Sequence, residues 1–169
     1  AKSRVQWLIV PRHPQRFDEV EALVRQHGFS VSRRSAWGPD AEPQAADVWL
    51  GDSMGEMPLY YGLGSVALLG GSFAPLGGQN LIEAAACACP VVMGPSVFNF
   101  QEAATLAGQA GAAFAVDSMA QGVLQAVALA QDAARGAQVR AAAEQFAAAH
   151  RGAAERTAQA VQALLARHT

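Results

Sequence analysis

Short apolar runs rich in β-branched and aromatic residues alternate along this chain with segments whose apolar residues recur at helical spacing. The strand candidates number about six, and they lie at 5–10, 29–33, 47–50, 66–69, 91–93 and 113–116. Between the first two, Phe17, Val20, Leu23 and Val24 are spaced as one helix face, which Gly28 ends. This alternation predicts an α/β fold with a mainly parallel sheet.

The composition predicts one globular, soluble domain over residues 1–169, because 51% of the residues are hydrophobic and 15% are charged. The segment 119–167 is rich in alanine, with Leu and Val at helical spacing, and predicts a C-terminal tail of two or three helices. A net charge of -2 without a basic stripe argues against a nucleic-acid partner. The start at Ala1, without methionine, predicts a chain cut from a longer protein.

The cysteines and histidines do not form a metal-site pattern. Cys87 and Cys89 are two positions apart, and the histidines are scattered at 13, 27, 150 and 168. We therefore expect no zinc site and no disulfide framework, as in a protein of a reducing compartment. No apolar stretch reaches the roughly 18 residues expected of a membrane span, and no signal peptide opens the chain.

Open parallel sheets bind ligands outside the carboxyl ends of their strands, so the loops that follow the strand candidates are the candidate site. The first loop (10–14) contains Pro11, Arg12, His13 and Pro14. Arg12 is either a planar clamp for a phosphate or carboxylate, or a solvated residue of a proline-stiffened loop. His13 either caps the next element or packs against it.

The second loop (51–57) reads Gly-Asp-Ser-Met-Gly-Glu-Met. Ser53 and Glu56 have the spacing of a helix capping box, which is one explanation for both residues, and a binding role is the other. Gly55 then falls inside the first helical turn, where glycine is unfavourable. A glycine at that place permits a ligand to approach the backbone closely.

The third loop (70–83) is glycine-rich and leads into a helical pattern. Asn80 and Glu83 form a further N-cap and N3 pair, but the two glycine pairs, at 70–71 and 77–78, exceed what a cap needs. Backbone N–H groups in such a loop and in the first turn of the helix predict a phosphate site, and Glu83 is suited to accept from ribose hydroxyls. The spacing matches neither a Walker loop nor a dinucleotide-binding fingerprint.

Ser96, Asn99 and Gln101 follow the fifth strand candidate, where they would face a sugar or an acceptor. Asn99 alternatively caps the next helix. Phe98 and Phe100 are predicted to be core residues.

Four segments, in order along the chain, resemble the carboxy-terminal half of the bacterial Kdo transferases. They read Val-Pro-Arg-His-Pro-Gln-Arg-Phe (10–17), Gly-Asp-Ser-Met-Gly-Glu-Met (51–57), Gly-Gly-Ser-Phe-Ala-Pro-Leu-Gly-Gly-Gln-Asn-Leu-Ile-Glu-Ala (70–84) and Met-Gly-Pro-Ser-Val-Phe-Asn-Phe (93–100). Members of this family transfer 3-deoxy-D-manno-octulosonic acid (Kdo) from CMP-Kdo to lipid A precursors. The resemblance covers about residues 5 to 100, and the rest matches only in helical character.

The resemblance implies one half of a GT-B glycosyltransferase, a Rossmann-like three-layer α/β/α domain that holds the sugar nucleotide, with the amino-terminal acceptor domain absent. The CMP-binding residues that it implies are Pro11, Arg12, Met54, Gly55, Glu56, Asn80, Leu81, Ile82 and Glu83. Arg12 would stabilise the leaving group, and Glu56 and Glu83 would meet the ribose or cytosine. A sugar or phosphate loop would be formed by Gly71, Ser72, Gly77, Gly78 and Asn99.

The implied reaction is an inverting direct displacement with CMP as the leaving group, in lipopolysaccharide core synthesis. The catalytic base and the contacts with the lipid A precursor belong to the absent domain, so this chain alone is expected to be inactive. The resemblance implies no metal and no cofactor beyond the substrate CMP-Kdo. It places the parent enzyme at the cytoplasmic face of the inner membrane of Gram-negative cells, and surface exposed by the absent domain predicts self-association.

Two other functions remain open at the level of sequence. One is a different GT-B protein, such as a UDP-sugar transferase or an epimerase. The other is a non-enzymatic nucleotide-binding module.

Overall fold

The computed structural model describes residues 5–38, 44–150, 159, 161, 162 and 165. Each predicted apolar run contains one strand, and the strands are β1 (Trp7–Ile9), β2 (Val31–Arg33), β3 (Val48–Leu50), β4 (Ala67–Leu69), β5 (Val91–Met93) and β6 (Ala113–Ala115). They form two three-stranded sheets of order β1-β3-β2 and β4-β5-β6, and every pairing is parallel. The predicted α/β class with parallel strands is confirmed, with its strands divided between two hydrogen-bonded sheets.

Helices follow the strands in the alternation that the sequence predicts. They are α1 (Phe17–Gln26), α2 (Met57–Leu63), α3 (Leu81–Ala86), α4 (Gln101–Gln109), α5 (Met119–Gln131) and α6 (Ala133–His150). Short 3-10 turns occupy Pro14–Arg16, Arg34–Ala36, Gly70–Phe73 and Phe98–Phe100. α5 and α6 account for two helices of the predicted tail, and most of the segment from 151 to 167 lies outside the described residues.

β5 is the centre of the second sheet and is buried on both faces. Its residues Val91, Val92 and Met93 are at most 4% exposed, which explains why the strand reads as a continuous apolar run. Val91 and Met93 belong to one core cluster with residues of α3, α4 and α6, and Val92 belongs to another with residues of α5 and the first half of α6. Helices therefore cover both faces of this sheet, giving three layers.

The first sheet is centred on β3, where Val48 and Leu50 are buried and α1 packs against the strand. Its second crossover differs from the others. Between β2 and β3 the described residues form the 3-10 turn Arg34–Ala36 and irregular chain, without an α-helix. This connection keeps the residues at the end of β2 close to the end of β3, where the second loop begins.

α6 is the longest helix within the described residues. It packs against α3 and α5, and Arg140 Nη2 donates to the carbonyl oxygen of Gly64, just after α2, at 3.2 Å. Asp132 starts the helix, because its side chain accepts from the Arg135 N–H at 2.9 Å. No helix among the described residues is both long enough and apolar enough to span a bilayer.

Candidate functional site

The first and second loops touch where β1 and β3 end side by side. The Gly51 N–H donates to the carbonyl oxygen of Ile9 at 2.8 Å. A Cβ atom on Gly51 would lie 2.9 Å from Val10 Cγ2 and 2.9 Å from Cζ of Tyr60, so a larger residue would displace the side chain of Val10 or of Tyr60 in α2. The structure therefore brings the first two predicted binding segments together.

Arg12 lies exposed in the first loop, next to the half-buried Pro11. Within the described parts of the chain, its side chain forms no hydrogen bond and no ion pair. Arg16, four residues on, is instead paired with Glu19 through Nε and Oε2 at 3.1 Å. His13 precedes the 3-10 turn, and its carbonyl oxygen accepts from the Arg16 N–H at 3.0 Å. The guanidinium of Arg12 is thus available to a ligand.

The capping box proposed for the second loop is wrong. The N-cap of α2 is Glu56, without a side-chain cap, and Ser53 lies three residues before it. Gly55 does not lie in the first helical turn but before the helix, with φ +79°, a left-handed conformation that glycine adopts at little cost. Because of this turn the helix begins later in the chain, at Met57, and Ser53 does not occupy its N-cap position.

The Glu56 carboxylate is instead held by three side chains. Arg34 Nη2 donates to Oε1 at 2.8 Å. Ser53 Oγ donates to Oε2 through a short hydrogen bond, and the Tyr60 hydroxyl lies 3.4 Å from the same oxygen. The hydrogen bond from Ser53 is the main cause of a lowered Glu56 pKa, with Arg34 contributing and partial burial opposing. Glu56 is therefore held in its ionised form.

A second ion-pair network, which the sequence pattern did not predict, supports the same loop. The carboxylate of Asp52, 2% exposed, accepts from Arg33 Nε at 2.6 Å and from the Ser35 N–H and Oγ at 2.8 and 2.5 Å. Burial raises the Asp52 pKa, but the hydrogen bonds from Ser35 and Arg33 outweigh it and leave the pKa lowered. Arg33 also contacts Asp18 and Glu21 of α1 at 2.7 and 3.2 Å. The available signal was a carboxylate two residues after β3 and the run Arg-Arg-Ser that begins at the last residue of β2.

The second glycine pair of the third loop packs against the segment 94–100, here called the fourth loop. Gly77 and Gly78 both have positive φ, +81° and +85°. The Gly77 N–H donates to Ser96 Oγ at 3.1 Å, and the Asn99 N–H donates to the Gly77 carbonyl oxygen at 3.2 Å. Asn99 Nδ2 also donates to the Leu76 carbonyl oxygen at 3.2 Å. These two glycines are explained by loop-to-loop packing without a ligand.

The alternative role of Asn99 as a helix cap is wrong, because the N-cap of α4 is Phe100, without a side-chain cap. Gln101 is instead the first residue of α4. Phe100 packs against the core as expected, whereas Phe98 is 65% exposed, so the prediction that Phe98 is a core residue is wrong.

The first glycine pair is followed by a buried serine that ties the third loop to the fourth. Ser72 is 0% exposed. Its hydroxyl donates to the Leu69 carbonyl oxygen at 2.6 Å and accepts from the Gly94 N–H at 2.7 Å. Gly71 is joined to the end of the loop, since its N–H donates to Gln79 Oε1 at 3.2 Å. The Ser72 hydroxyl thus acts as both donor and acceptor, and the two hydrogen bonds fix the shape of the third loop.

Asn80 caps α3 as predicted. Its Oδ1 accepts from the Ile82 N–H at 3.1 Å, and its Nδ2 donates to Glu83 Oε1 at 3.0 Å. Leu81 is buried, Ile82 is half-buried and Glu83 is exposed. Within the described residues the second carboxylate oxygen of Glu83 has no protein partner, so Glu83 keeps an acceptor for a ligand.

Tyr61 links the helix of the second loop to the helix of the third. α2 contacts α3, and the Tyr61 ring packs against the core cluster that contains Leu81 and Ala84. Burial raises the pKa of Tyr61 to about 12, and the negative charge of Glu83 acts in the same direction. The second and third loops are thus connected through packed helices. No group of three or more His, Cys, Asp or Glu side chains suited to a metal ion occurs among the described residues.

Known proteins with similar sequences are Kdo transferases. The chain is 47% identical to 3-deoxy-D-manno-octulosonic acid transferase of Bordetella pertussis over 155 residues, which is 92% of this chain and 36% of that protein. It is 38% identical over 120 residues to the enzyme of the same name from Haemophilus influenzae, covering 71% of this chain and 28% of that protein. The chain thus spans about a third of the length of these relatives. No family model matches it.

A solved structure shares both the fold and the sequence. It is the C-terminal CMP-Kdo binding domain of WaaA from Acinetobacter baumannii, with a TM-score of 0.72 and 35% identity. The match covers 82% of this chain and 72% of that one. It confirms the predicted fold. The chain therefore belongs to the family of 3-deoxy-D-manno-octulosonic acid transferases, in the part that forms their carboxy-terminal domain.

Proposed function

We propose that this chain binds CMP-Kdo and is the donor-binding half of an enzyme that transfers Kdo to a lipid A precursor in lipopolysaccharide core synthesis. The observation that carries the proposal is the 35% identity, over 82% of the chain, to a domain described as binding CMP-Kdo. The arrangement of the loops supports it, because parallel α/β sheets bind ligands at this edge.

Three loops would form the CMP site. Pro11 and Arg12 supply the first wall, residues 54–56 the second and residues 80–83 the third. Exposed Arg12 offers a cation without a partner among the residues that the structure describes, and exposed Glu83 offers a carboxylate oxygen for ribose hydroxyls. Leu81 would act through the core beneath the loop, since it is buried.

The sugar and phosphate side would be formed by the third and fourth loops. Gly71, Gly77 and Gly78 keep the backbone without side chains there, while Ser72 and Asn99 fix its shape through their hydrogen bonds. We assign these five residues to presenting the backbone toward the donor.

Arg12 would act on the leaving group. When the bond between the anomeric carbon and the phosphate oxygen breaks, negative charge develops on CMP and the sugar becomes cation-like. A guanidinium beside the phosphate stabilises that charge through planar, charge-assisted hydrogen bonds. The acceptor oxygen would bond to the opposite face of the sugar carbon, which inverts its configuration.

The remaining chemistry is proposed to lie outside this chain. The base that takes the acceptor proton, the lipid A precursor site and the membrane contacts would belong to an amino-terminal domain, with the whole enzyme at the cytoplasmic face of the inner membrane. This chain alone would bind CMP without catalysing transfer. Exposed apolar side chains such as Leu76 and Phe98 would favour its self-association.

Calorimetric titration of the chain with CMP, UMP and UDP tests the proposal. CMP is expected to bind most tightly. Tightest binding of UDP would overturn the assignment in favour of a UDP-sugar enzyme. Equal and weak binding of all three would favour a general nucleotide-binding module.

Arg12→Ala is expected to weaken CMP binding about 10-fold or more, because charge-assisted hydrogen bonds to the phosphate are lost. Arg16→Ala is the matched control, since Arg16 is exposed in the same segment but paired with Glu19. Both variants should keep the wild-type melting temperature. Equal CMP affinity of Arg12→Ala and wild type would show that Arg12 is only a solvated loop residue.

A further inference from the structure

Arg34 is a cation held in place from two sides at the edge of the second loop. Its guanidinium carbon lies 5.7 Å from the centre of the Trp37 ring, and its Nη2 donates to Glu56 Oε1 at 2.8 Å. Trp37 is itself fixed, because its Nε1 donates to Ser32 Oγ at 2.8 Å and Trp49 packs edge-on against it at 5.5 Å. Arg34 therefore meets Glu56 from a preformed position.

The pair is partly shielded from water. The side chains of Arg34 and Glu56 are 27% and 30% exposed, so their attraction is less screened than that of a fully exposed pair. Arg16 and Glu19, at 55% and 63%, are the exposed counterpart on the same edge of the fold.

The Glu56 carboxylate is already engaged at both oxygens. Oε1 accepts from Arg34, and Oε2 accepts from Ser53 and lies near the Tyr60 hydroxyl. Glu83 differs, because within the described residues only one of its oxygens has a partner, the Asn80 side chain. Of the two acidic candidates for the nucleotide, Glu83 is the one with an open acceptor.

The backbone beside Glu56 is accessible. Gly55 has φ +79°, and apart from its chain neighbours no described residue has an atom within 4 Å of the place where a Cβ would lie. Met54 is 66% exposed. A ligand can therefore approach the peptide groups of Met54 and Gly55 more easily than the Glu56 carboxylate. The three contacts of that carboxylate fix the turn in which these peptide groups are presented.

We infer that Glu56 is a positioning residue for the donor nucleotide: clamped by Arg34, Ser53 and Tyr60, its carboxylate holds the turn at 53–56 so that the backbone of Met54 and Gly55 contacts the ligand. This inference rests on the proposed function. It adds Arg34 to the residues on which binding depends, although Arg34 acts only through Glu56.

Arg34→Met removes the cation and keeps an apolar side chain over Trp37. It is expected to weaken CMP binding about 5-fold at neutral pH, a modest loss because the pair is partly exposed. Arg135→Met is the matched control, since Arg135 lies 5.8 Å from the Phe114 ring, outside the four loops, and should leave CMP affinity unchanged. Arg34→Lys should restore part of the affinity because it returns the charge without the planar stack.

The pH dependence of CMP binding distinguishes a role of the Arg34–Glu56 pair in positioning the turn from a general effect of Arg34→Met on protein stability. The groups that face Glu56 are Arg34, Ser53 and Tyr60. Because Arg34 helps to lower the Glu56 pKa, its removal should raise that pKa. The ratio of variant to wild-type dissociation constants should therefore grow as pH falls through the usual glutamate range, from about 6 toward about 4, since the variant loses the ionised carboxylate first. Protonation of CMP itself cancels in this ratio. A ratio that stays constant with pH would overturn the inference.

Glu56→Gln distinguishes positioning from direct contact with the 2′-hydroxyl of the ribose. Its penalty should be the same for CMP and for 2′-deoxy-CMP. If the penalty vanishes with the deoxy ligand, Glu56 contacts the ribose hydroxyl and the inference is wrong.

A carboxyl-carbon NMR titration without ligand should show a higher Glu56 pKa in Arg34→Met, and an unchanged pKa would refute the clamp. A folded wild type that binds no CMP would overturn the proposed function instead. The NMR titration would still test whether Arg34 interacts with the Glu56 carboxylate.

Discussion

Gly94 is the position where one added methyl group tests the packing between the third and fourth loops. A Cβ atom on Gly94 would lie 2.6 Å from the Ser72 carbonyl oxygen and 2.6 Å from Cδ1 of Phe73. The Gly94 N–H also donates to Ser72 Oγ at 2.7 Å. The Phe73 ring can rotate, but the carbonyl oxygen moves only with the backbone. Gly94→Ala must therefore push the two loops apart.

The cost follows from two effects. Insertion of a methyl group into a filled core typically costs about 1–3 kcal/mol. The lengthened buried hydrogen bond adds about 1 kcal/mol. The sum is about 2–4 kcal/mol, and for a chain of this size each kcal/mol lowers the melting temperature by roughly 2–4 °C. We expect a fall of roughly 5–15 °C.

Thermal melting followed by circular dichroism measures this effect, with Gly108→Ala as the control. Gly108 lies in α4, and outside the backbone of that helix and its chain neighbours no described residue has an atom within 4 Å of its Cβ position, so alanine there should raise stability by up to about 1 kcal/mol. A melting temperature of Gly94→Ala within roughly 2 °C of wild type would refute the packing argument.

Two further substitutions test buried polar groups near the same edge. Ser72→Ala leaves the Gly94 N–H and the Leu69 carbonyl oxygen without their partner, and should cost about 1–3 kcal/mol in urea unfolding; a loss below about 0.5 kcal/mol would mean that water replaces the hydroxyl. Asp52→Asn should cost about 1–3 kcal/mol at pH 7. Because the folded pKa of Asp52 is lowered, the wild-type advantage is complete above the usual aspartate range and is lost as pH falls below that range and through the folded pKa. A difference between the two proteins that does not change from pH 7 to pH 3 would contradict this assignment.

The strands could be predicted from the sequence because each is a short apolar run between breakers. The run at 91–93 matches β5 residue for residue, since Pro90 and Gly94 bound it and burial on both faces leaves no polar position. The cap of α3 could also be predicted, because Asn80 and Glu83 are three residues apart on the chain and interact locally. These features could be predicted because the residues that determine them are close together in the sequence.

The networks behind the second loop could not be predicted, because their members meet only through the strand order. Arg33 ends β2 and Asp52 follows β3, and nothing in the spacing says that these strands are neighbours. The same spacing misled at Ser53 and Glu56, where the positive φ of Gly55 overrode a capping box that fits by sequence. A glycine with a left-handed backbone is indistinguishable in sequence from one inside a helix.

The hydrogen bonds within the third and fourth loops have a consequence for the thermodynamics of binding. Ser72, Ser96 and Asn99 already satisfy backbone groups of these loops without a ligand. A nucleotide that binds there loses little free energy to the ordering of flexible chain, so each contact it makes contributes more fully to affinity. Binding should then appear as higher thermal stability of the whole domain, by mass action, with far-ultraviolet circular dichroism unchanged.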